Sequence, residues 1–314
     1  MIVTLTPNPA VDVTYRVGSL QVGGSHPVGA VREQAGGKGV NTAAVLTTMG
    51  QDCVAVCPVG ADDADRFAAD LDARGVRHRL LRLPGRTRRS VTVVDDAGEA
   101  TVLNEPGLRW GRGERDIVVE VVAQSLSGAW VLTISGSVSD AAVAAVVRCV
   151  ETADALAVPA VLDLRGPVLR DSLAHGPALV KPNRAEAAAM LGFDASAAPS
   201  AAELAERLVG DGAGAAVVSD GAAGLTLVSG DGIRLVGRLS EPLQGNATGA
   251  GDALTAALAA GLAEGVPTGR DAWAETLRTG VAWSAAAVLQ PVAGAVDPAD
   301  VARLLPRVEI EEIA

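Results

Sequence analysis

Six short apolar runs recur along the chain with helix-like stretches between them, and this alternation constrains the fold more than any other feature. The runs are "MIVTLT" (1–6), "CVAVCPVG" (53–60), "AWVLTISG" (129–136), "PAVLDL" (159–164), "PALVKPN" (177–183) and "GAAVVSDG" (214–221). Continuous apolar runs of this length read as short buried strands. The stretches at 39–50, 63–75, 139–157 and 201–212 have helical spacing, with Gly50 and Gly75 placed to end two of them and Ser139 to start a third. Strand and helix in turn predict a doubly wound, mostly parallel α/β sheet flanked by helices. Such sheets bind ligands outside the carboxyl ends of their strands.

Two segments break the pattern. Residues 12–20 and 88–105 look like antiparallel strands, and Asp95-Asp96-Ala97-Gly98 makes a hairpin turn within the second. Paired with each other, they form a small sheet over the strand ends, a lid. One unit is therefore expected over 1–314, with an α/β core at about 1–11, 28–86 and 105–314 and a β lid at about 12–27 and 87–104. The tail "VEIEEIA" is expected to be a closing element.

Composition removes several function classes. Aromatic residues are 2% of the chain, so Ala, Val and Leu must build the core. Lys and Arg number 26 against 37 Asp and Glu, a net charge of −11, which argues against a nucleic-acid partner. No uncharged run approaches the roughly 18 apolar residues of a membrane span, and the N-terminus lacks the pattern of a signal peptide. Cys53, Cys57 and Cys149 have no zinc-like spacing and read as buried thiols. These features together predict a cytoplasmic protein.

The glycine-rich loops carry the chemistry. "AGGKGVNTA" (35–43) lacks the first glycine and the hydroxyl residue of a P-loop, and the third glycine of a dinucleotide fingerprint. "GNATGAGDALTAALAAGL" (245–262) puts Gly249, Ala250 and Gly251 at the start of an apolar helix, with Asp252 behind them. Successive amides at a helix N-terminus suit an anion. A plain helix cap also favours Asp, but it does not require Gly-x-Gly, whereas an anion approaching the backbone does. Asp252 is then placed to act as a base toward a sugar hydroxyl attacking a phosphoryl group.

With these two loops, "TLTPNPAVD" (4–12), "GRTRRSVTV" (85–93), "LNEPG" (103–107), "ISGS" (134–137) and "LVKPNRAEA" (179–187) complete a set of seven motifs. In this order and spacing the chain resembles the PfkB (ribokinase-like) carbohydrate kinases. Within them it is similar to the hexose-phosphate branch of 1-phosphofructokinases and tagatose-6-phosphate kinases. The resemblance implies that Asp252 is the catalytic base and that Gly249, Ala250 and Gly251 form the anion hole. It implies that Asp12, Gly37, Lys38, Asn41, Arg88, Asn104 and Ser135 bind the acceptor sugar. It puts Lys181, Asn183, Glu186, Ser219, Gly221, Gly224 and Gly251 at the ATP site, with Glu186 serving Mg²⁺ through water. It also implies a possible monovalent cation and a homodimer formed through the lid.

Residue-level readings stand beside these roles. Asn41 is equally suited to cap the helix at 41–49. Lys38 would supply a point charge near a phosphate. Arg74, Arg77, Arg79, Arg82, Arg86, Arg88 and Arg89 crowd one region; the first, second and third of these read as solvated surface. Alternation lets only one of Arg88 and Arg89 face the site, and the resemblance selects Arg88. Relatives carry a basic residue near 23–29, where this chain has Pro27, leaving His26 as the only candidate cation. Asp220 stands where relatives tend to be apolar. Fructose 1-phosphate is the first expected acceptor, then tagatose 6-phosphate and fructose 6-phosphate. A kinase of an uncharged sugar or nucleoside, or a non-catalytic sugar or nucleotide sensor, are the alternatives.

Overall fold

The computed structural model describes residues 1–29, 31–194 and 197–313. All six apolar runs are strands of one ten-stranded sheet: β1 (Ile2–Leu5), β4 (Cys53–Gly60), β8 (Val131–Ser135), β9 (Ala160–Asp163), β10 (Leu179–Val180) and β11 (Ala215–Ser219). The strands β5 (His78–Leu83), β12 (Leu225–Ser229), β13 (Arg234–Leu239) and β14 (Val308–Glu312) extend it. The order is β14-β13-β12-β11-β10-β9-β8-β1-β4-β5. From β11 to β5 every pairing is parallel, while β12, β13 and β14 add on antiparallel. The expected closing tail is thus the outermost strand.

Period-2 alternation sends each parallel strand's side chains to two separate cores. In β4, Cys53, Ala55, Cys57 and Val59 face one core, and Val54 and Val56 face the other. The first core is covered by α1 (Lys38–Thr48), α2 (Ala64–Ala73), α8 (Ala250–Ala263), α9 (Gly269–Val288) and α10 (Pro298–Leu304). The second is covered by α3 (Arg112–Leu126), α4 (Val143–Ala155), α5 (Pro167–Leu173), α6 (Arg184–Met190) and α7 (Ala201–Gly210). Gly50 and Gly75 both take positive φ, 76° and 68°, past the ends of α1 and α2. Ser139 leads into a 3₁₀ turn at Asp140–Ala142 rather than directly into α4, and its side chain makes no cap bond. Among the described residues no helix is long and apolar enough to cross a membrane.

Successive strands step from β1 to β4 and β5 in one direction, then from β8 to β11 in the other. The order reverses between β1 and β8, so a crevice opens there above the carboxyl ends. The small sheet roots in that crevice, because β2 (Ala10–Arg16) follows β1 almost at once.

The small sheet has the order β3-β2-β6-β7, with β3 at Arg32–Gly36, β6 at Arg88–Val94 and β7 at Ala100–Asn104. The expected hairpin joins β6 to β7, but β2 and β6 run parallel, from Ala10 opposite Arg88 to Arg16 opposite Val94. The expected boundaries put 28–86 in the core. Pairing of β3 with β2, Thr14 opposite Arg32 and Ala10 opposite Gly36, moves that strand into the lid sheet. Its sequence, REQAG, has no apolar alternation to reveal it.

Candidate functional site

A cleft of about 1320 Å³ lies between the lid sheet and the carboxyl ends of the core strands. Its floor comes from the residues just after β1, β8, β9 and β10, including Asn8, Ser137, Arg165 and Asn183. Its roof is one face of the lid, read off as alternate residues: Arg32 and Gln34; Asp12, Thr14 and Arg16; Arg88, Ser90 and Thr92; Val102 and Asn104.

Asp252 sits in the first turn of α8, 6% exposed. The chain reaches it through Gly249, which holds the left-handed conformation at φ 89°; a Cβ there would stand 2.8 Å from the Ala293 Cα. Only glycine satisfies both demands. The N-cap of α1 is Gly37, not Asn41. Freed from capping, the buried Asn41 donates from Nδ2 to Asp252 Oδ2 at 2.9 Å. Burial, then the charge of Asp163, pushes the Asp252 carboxyl up to about 7, against the opposing pull of Lys38, Asn41 and Lys181. A carboxyl near neutrality inside a cleft is suited to proton transfer.

Lys38 opens α1 and donates to both oxygens of Asp163, at 3.1 and 3.3 Å. Lys181, 3% exposed, lies 3.5 Å from Asp163 Oδ1. One carboxylate at the end of β9, 1% exposed, therefore holds two ammonium groups. Burial alone would lower the Lys38 pKa, but Asp163, Asp252 and Glu186 together hold it above the ordinary value. Lys181 also hangs over the helix start, with its Nζ 3.5 Å from where a Gly251 side chain would begin.

Asp12 projects from β2 into a space left by Gly36, where a Cβ would come within 2.0 Å of Asp12 Oδ2. Burial raises its carboxyl to about 6, with Arg88 and Arg74 acting in the other direction. Arg88 donates from Nε to the Asn8 carbonyl at 3.3 Å and from Nη1 to Asn104 Oδ1 at 3.3 Å. Arg89 is not on the cleft wall, as the alternation requires. Arg74 is not loose surface: it donates to the Ala35 carbonyl at 2.8 Å and ties α2 to β3.

Asn183 and Glu186 form a capping box on α6. Asn183 Oδ1 accepts from the Glu186 amide at 2.8 Å, and Glu186 Oε2 accepts from the Asn183 amide at 3.1 Å. Both still line the cleft, as do Gly37, Lys38, Asn41, Lys181, Ser219, Gly249 and Gly251.

Six residues singled out in the sequence stand elsewhere. Ser135 is fully buried as the last residue of β8, and the wall is formed by Gly136 and Ser137 after it. The Ala250 amide is already donated to the Ala247 carbonyl at 3.2 Å, and Ala250 is not on the wall, whereas Gly249 and Gly251 line the cleft. Gly221 and Gly224 shape a 3₁₀ turn behind Ser219 and are not on the wall. His26 Nε2 turns back onto the backbone of Gln21 and does not reach the cleft. Asp220 faces Arg184, 3.4 Å from it.

Asp163 is the functional side chain that motif reading missed. Its signal was present: a carboxylate inside the otherwise apolar run "PAVLDL" must find a cation or remain costly.

Residues 5–300 match the profile of the pfkB family carbohydrate kinases. A 1-phosphofructokinase of Rhodobacter capsulatus is 35% identical over 292 residues, covering 91% of this chain and 90% of that protein. One from Xanthomonas campestris is 33% identical over 266 residues, covering 83% of each. Among solved structures, phosphofructokinase-2 from Escherichia coli in complex with potassium superposes with a TM-score of 0.89, and its complex with fructose-6-phosphate with 0.85. Both are 26% identical and are matched over 97% of this chain and 98% of theirs.

Proposed function

The chain belongs to the pfkB family of carbohydrate kinases, and from that premise we propose that it moves the γ-phosphoryl group of ATP to a hydroxyl of a ketohexose phosphate, fructose 1-phosphate first. The observation that carries this reading is the pairing of a buried base, Asp252 with Asn41 on its Oδ2, with a cationic lid face. Asp252 receives the proton of the attacking hydroxyl as the new P–O bond forms. Gly249 and Gly251 offer amides to the charge that gathers on the transferring group. Lys38 and Lys181, fixed by Asp163, bring positive charge to the same place. Asp12 grips sugar hydroxyls, while Arg88, steadied by Asn104, takes the sugar phosphate.

Lys181, Asn183, Glu186 and Ser219 line the nucleotide side of the cleft. Glu186 commits Oε2 to its helix cap and keeps Oε1 for a hydrated Mg²⁺. No cluster of three metal-ligating side chains exists among the described residues, which suits an ion carried largely by phosphates. When bound, Mg²⁺ neutralises the phosphate charge that would repel the acceptor. The reading includes a homodimer through the lid, supported by the open edge strand β7 and the 59% exposed Leu103 on it. It also includes a cytoplasmic location, supported by three buried, unpaired thiols.

The test is ADP release from Mg-ATP with fructose 1-phosphate, tagatose 6-phosphate, fructose 6-phosphate, fructose, ribose and adenosine as acceptors. A preference for a phosphorylated ketohexose is expected. Turnover of uncharged acceptors alone would overturn the substrate, and binding without turnover would overturn the activity.

The pH profile follows from Asp252. Its carboxylate is the active form and its pKa is raised to about 7, so kcat/KM should climb with pH up to about 7 and level off above it. A profile already flat from pH 5 would remove Asp252 as the titrating base.

A further inference from the structure

About half of the arginines in this acidic chain end on carboxylates, among them Arg66 on Glu33, Arg74 on Asp70, Arg184 on Asp220, Arg278 on Glu275 and Arg307 on Glu241. On the cleft wall Arg16, Arg32, Arg88 and Arg165 do not, and of these Arg16 and Arg32 stand together on the lid face outward of Asp12. Both are exposed, both line the cleft, and neither has an ion-pair or side-chain hydrogen-bond partner among the described residues. With 37 acidic residues in the chain, two guanidinium groups without a carboxylate on the same concave face mark a place kept for an outside anion.

Strand register fixes where that place is. Asp12 lies opposite Gln34 on one side and Ser90 on the other, and Ser90 lies opposite Asn104. Arg32 lies opposite Thr14, two residues farther along β2 and on the same face, which is about 7 Å outward from Asp12. Arg16, two residues beyond Thr14, is the diagonal neighbour of Arg32, close enough for both long side chains to converge. Arg88 starts one row inside Asp12, opposite Ala10, and reaches outward to Asn104 on the Asp12 row. The row of Asp12 is therefore flanked by a cation from each side.

A ketohexose phosphate has the matching shape. Its attacking hydroxyl must meet Asp252 at the core, its ring hydroxyls fall under Asp12, and a phosphate on the far carbon projects outward along the lid. We infer that Arg32, with Arg16 beside it, closes the outer side of the acceptor-phosphate site, so that the phosphate is held between Arg88 and Arg32. This rests on the phosphosugar reading above. It answers the absence of a basic residue at Pro27: His26 is turned onto Gln21, and the second cation comes from β3 instead. Selectivity for a phosphorylated acceptor then resides in residues that face the cleft through strand alternation rather than in any glycine motif.

The test is steady-state kinetics of the native protein, Arg32→Ala, Arg32→Lys and Arg16→Ala, each with fructose 1-phosphate, fructose and Mg-ATP varied in turn. Loss of a charge-assisted bond should raise the KM for fructose 1-phosphate about ten- to a hundredfold in Arg32→Ala. The KM for ATP should stay within about twofold, which also reports an intact fold. The preference for fructose 1-phosphate over fructose should shrink by the same ten- to hundredfold, and Arg32→Lys should recover part of it. Arg16→Ala should show the same pattern more weakly. An unchanged KM for fructose 1-phosphate in Arg32→Ala, or equal losses for fructose and its phosphate, would overturn the inference while leaving the kinase reading intact. A native protein that turns over no phosphosugar would end both.

Discussion

Replacing Asp252 by Asn is expected to leave both substrates bound while lowering kcat at least about a hundredfold, since a positioned general base contributes about 10²–10⁴-fold. The substitution keeps size and shape. The carbonyl oxygen of the new amide can still accept from Asn41 Nδ2, which now aims at Asp252 Oδ2 from 2.9 Å. What disappears is the ability to take a proton. The fold has no reason to suffer, because a 6% exposed carboxylate is held there against a desolvation cost that raises its pKa. An amide removes that cost, so thermal stability should be equal or higher. The measurement is kcat and both KM values beside a melting curve. A kcat within a few fold of native would remove Asp252 from the chemistry and leave it as a first-turn helix residue.

Legibility in the sequence followed burial. The six parallel strands could be read because they are covered on both faces and their apolar runs are unbroken. Strand β5, HRLLRL, is an edge strand with exposed arginines, and β13 and β14 in the antiparallel extension have mixed exposure. Their patterns are weaker because part of each meets water, whereas the fully buried β12 is a five-residue run, LTLVS, in which Thr226 and Ser229 interrupt the apolar signal. The lid was visible in β2, β6 and β7, where polar and apolar residues alternate, and invisible in β3, whose identity depends on pairing with residues about twenty positions away. For the site, local motifs located Asp252, Lys38, Asn41, Asp12 and Arg88 on one cleft. They failed where a role depends on geometry between elements. Ser135 faces inward because of its place on β8, and the Ala250 amide is consumed by its own turn. Asn183 and Glu186 turn out to be a mutual helix cap as well as cleft residues, so the same spacing serves structure and chemistry together. Arg16 and Arg32 belong to no motif, and only the register of β2 with β3 brings them together.

Asp163 shows how much a residue without a motif can carry. Lys38 donates to both of its oxygens and Lys181 lies against Oδ1, residues 125 and 18 positions away. The two contacts are unequal. The Lys38 side chain is 42% exposed and can turn to water if its partner leaves, so little stability depends on it. Lys181 is 4% exposed on its side chain and cannot. Asp163→Ala would leave that ammonium buried without its ion-pair partner, with only the more distant Asp252 to offset it, and breaking a buried pair from one side costs about 3–5 kcal/mol. In a chain of this size that corresponds to a fall in Tm on the order of 10 °C. The loss would come from the stranded charge rather than from the missing attraction, and this distinction can be measured. Adding Lys181→Met removes the stranded charge and keeps the apolar stem. The double variant should therefore recover most of the lost Tm while remaining a poor kinase, because the phosphoryl group has lost a cation. If Asp163→Ala melts within about 2 °C of native, or if the double variant melts no higher than the single one, the carboxylate does not hold Lys181 in the folded protein. The organisation of the floor of the cleft would then have to come from elsewhere.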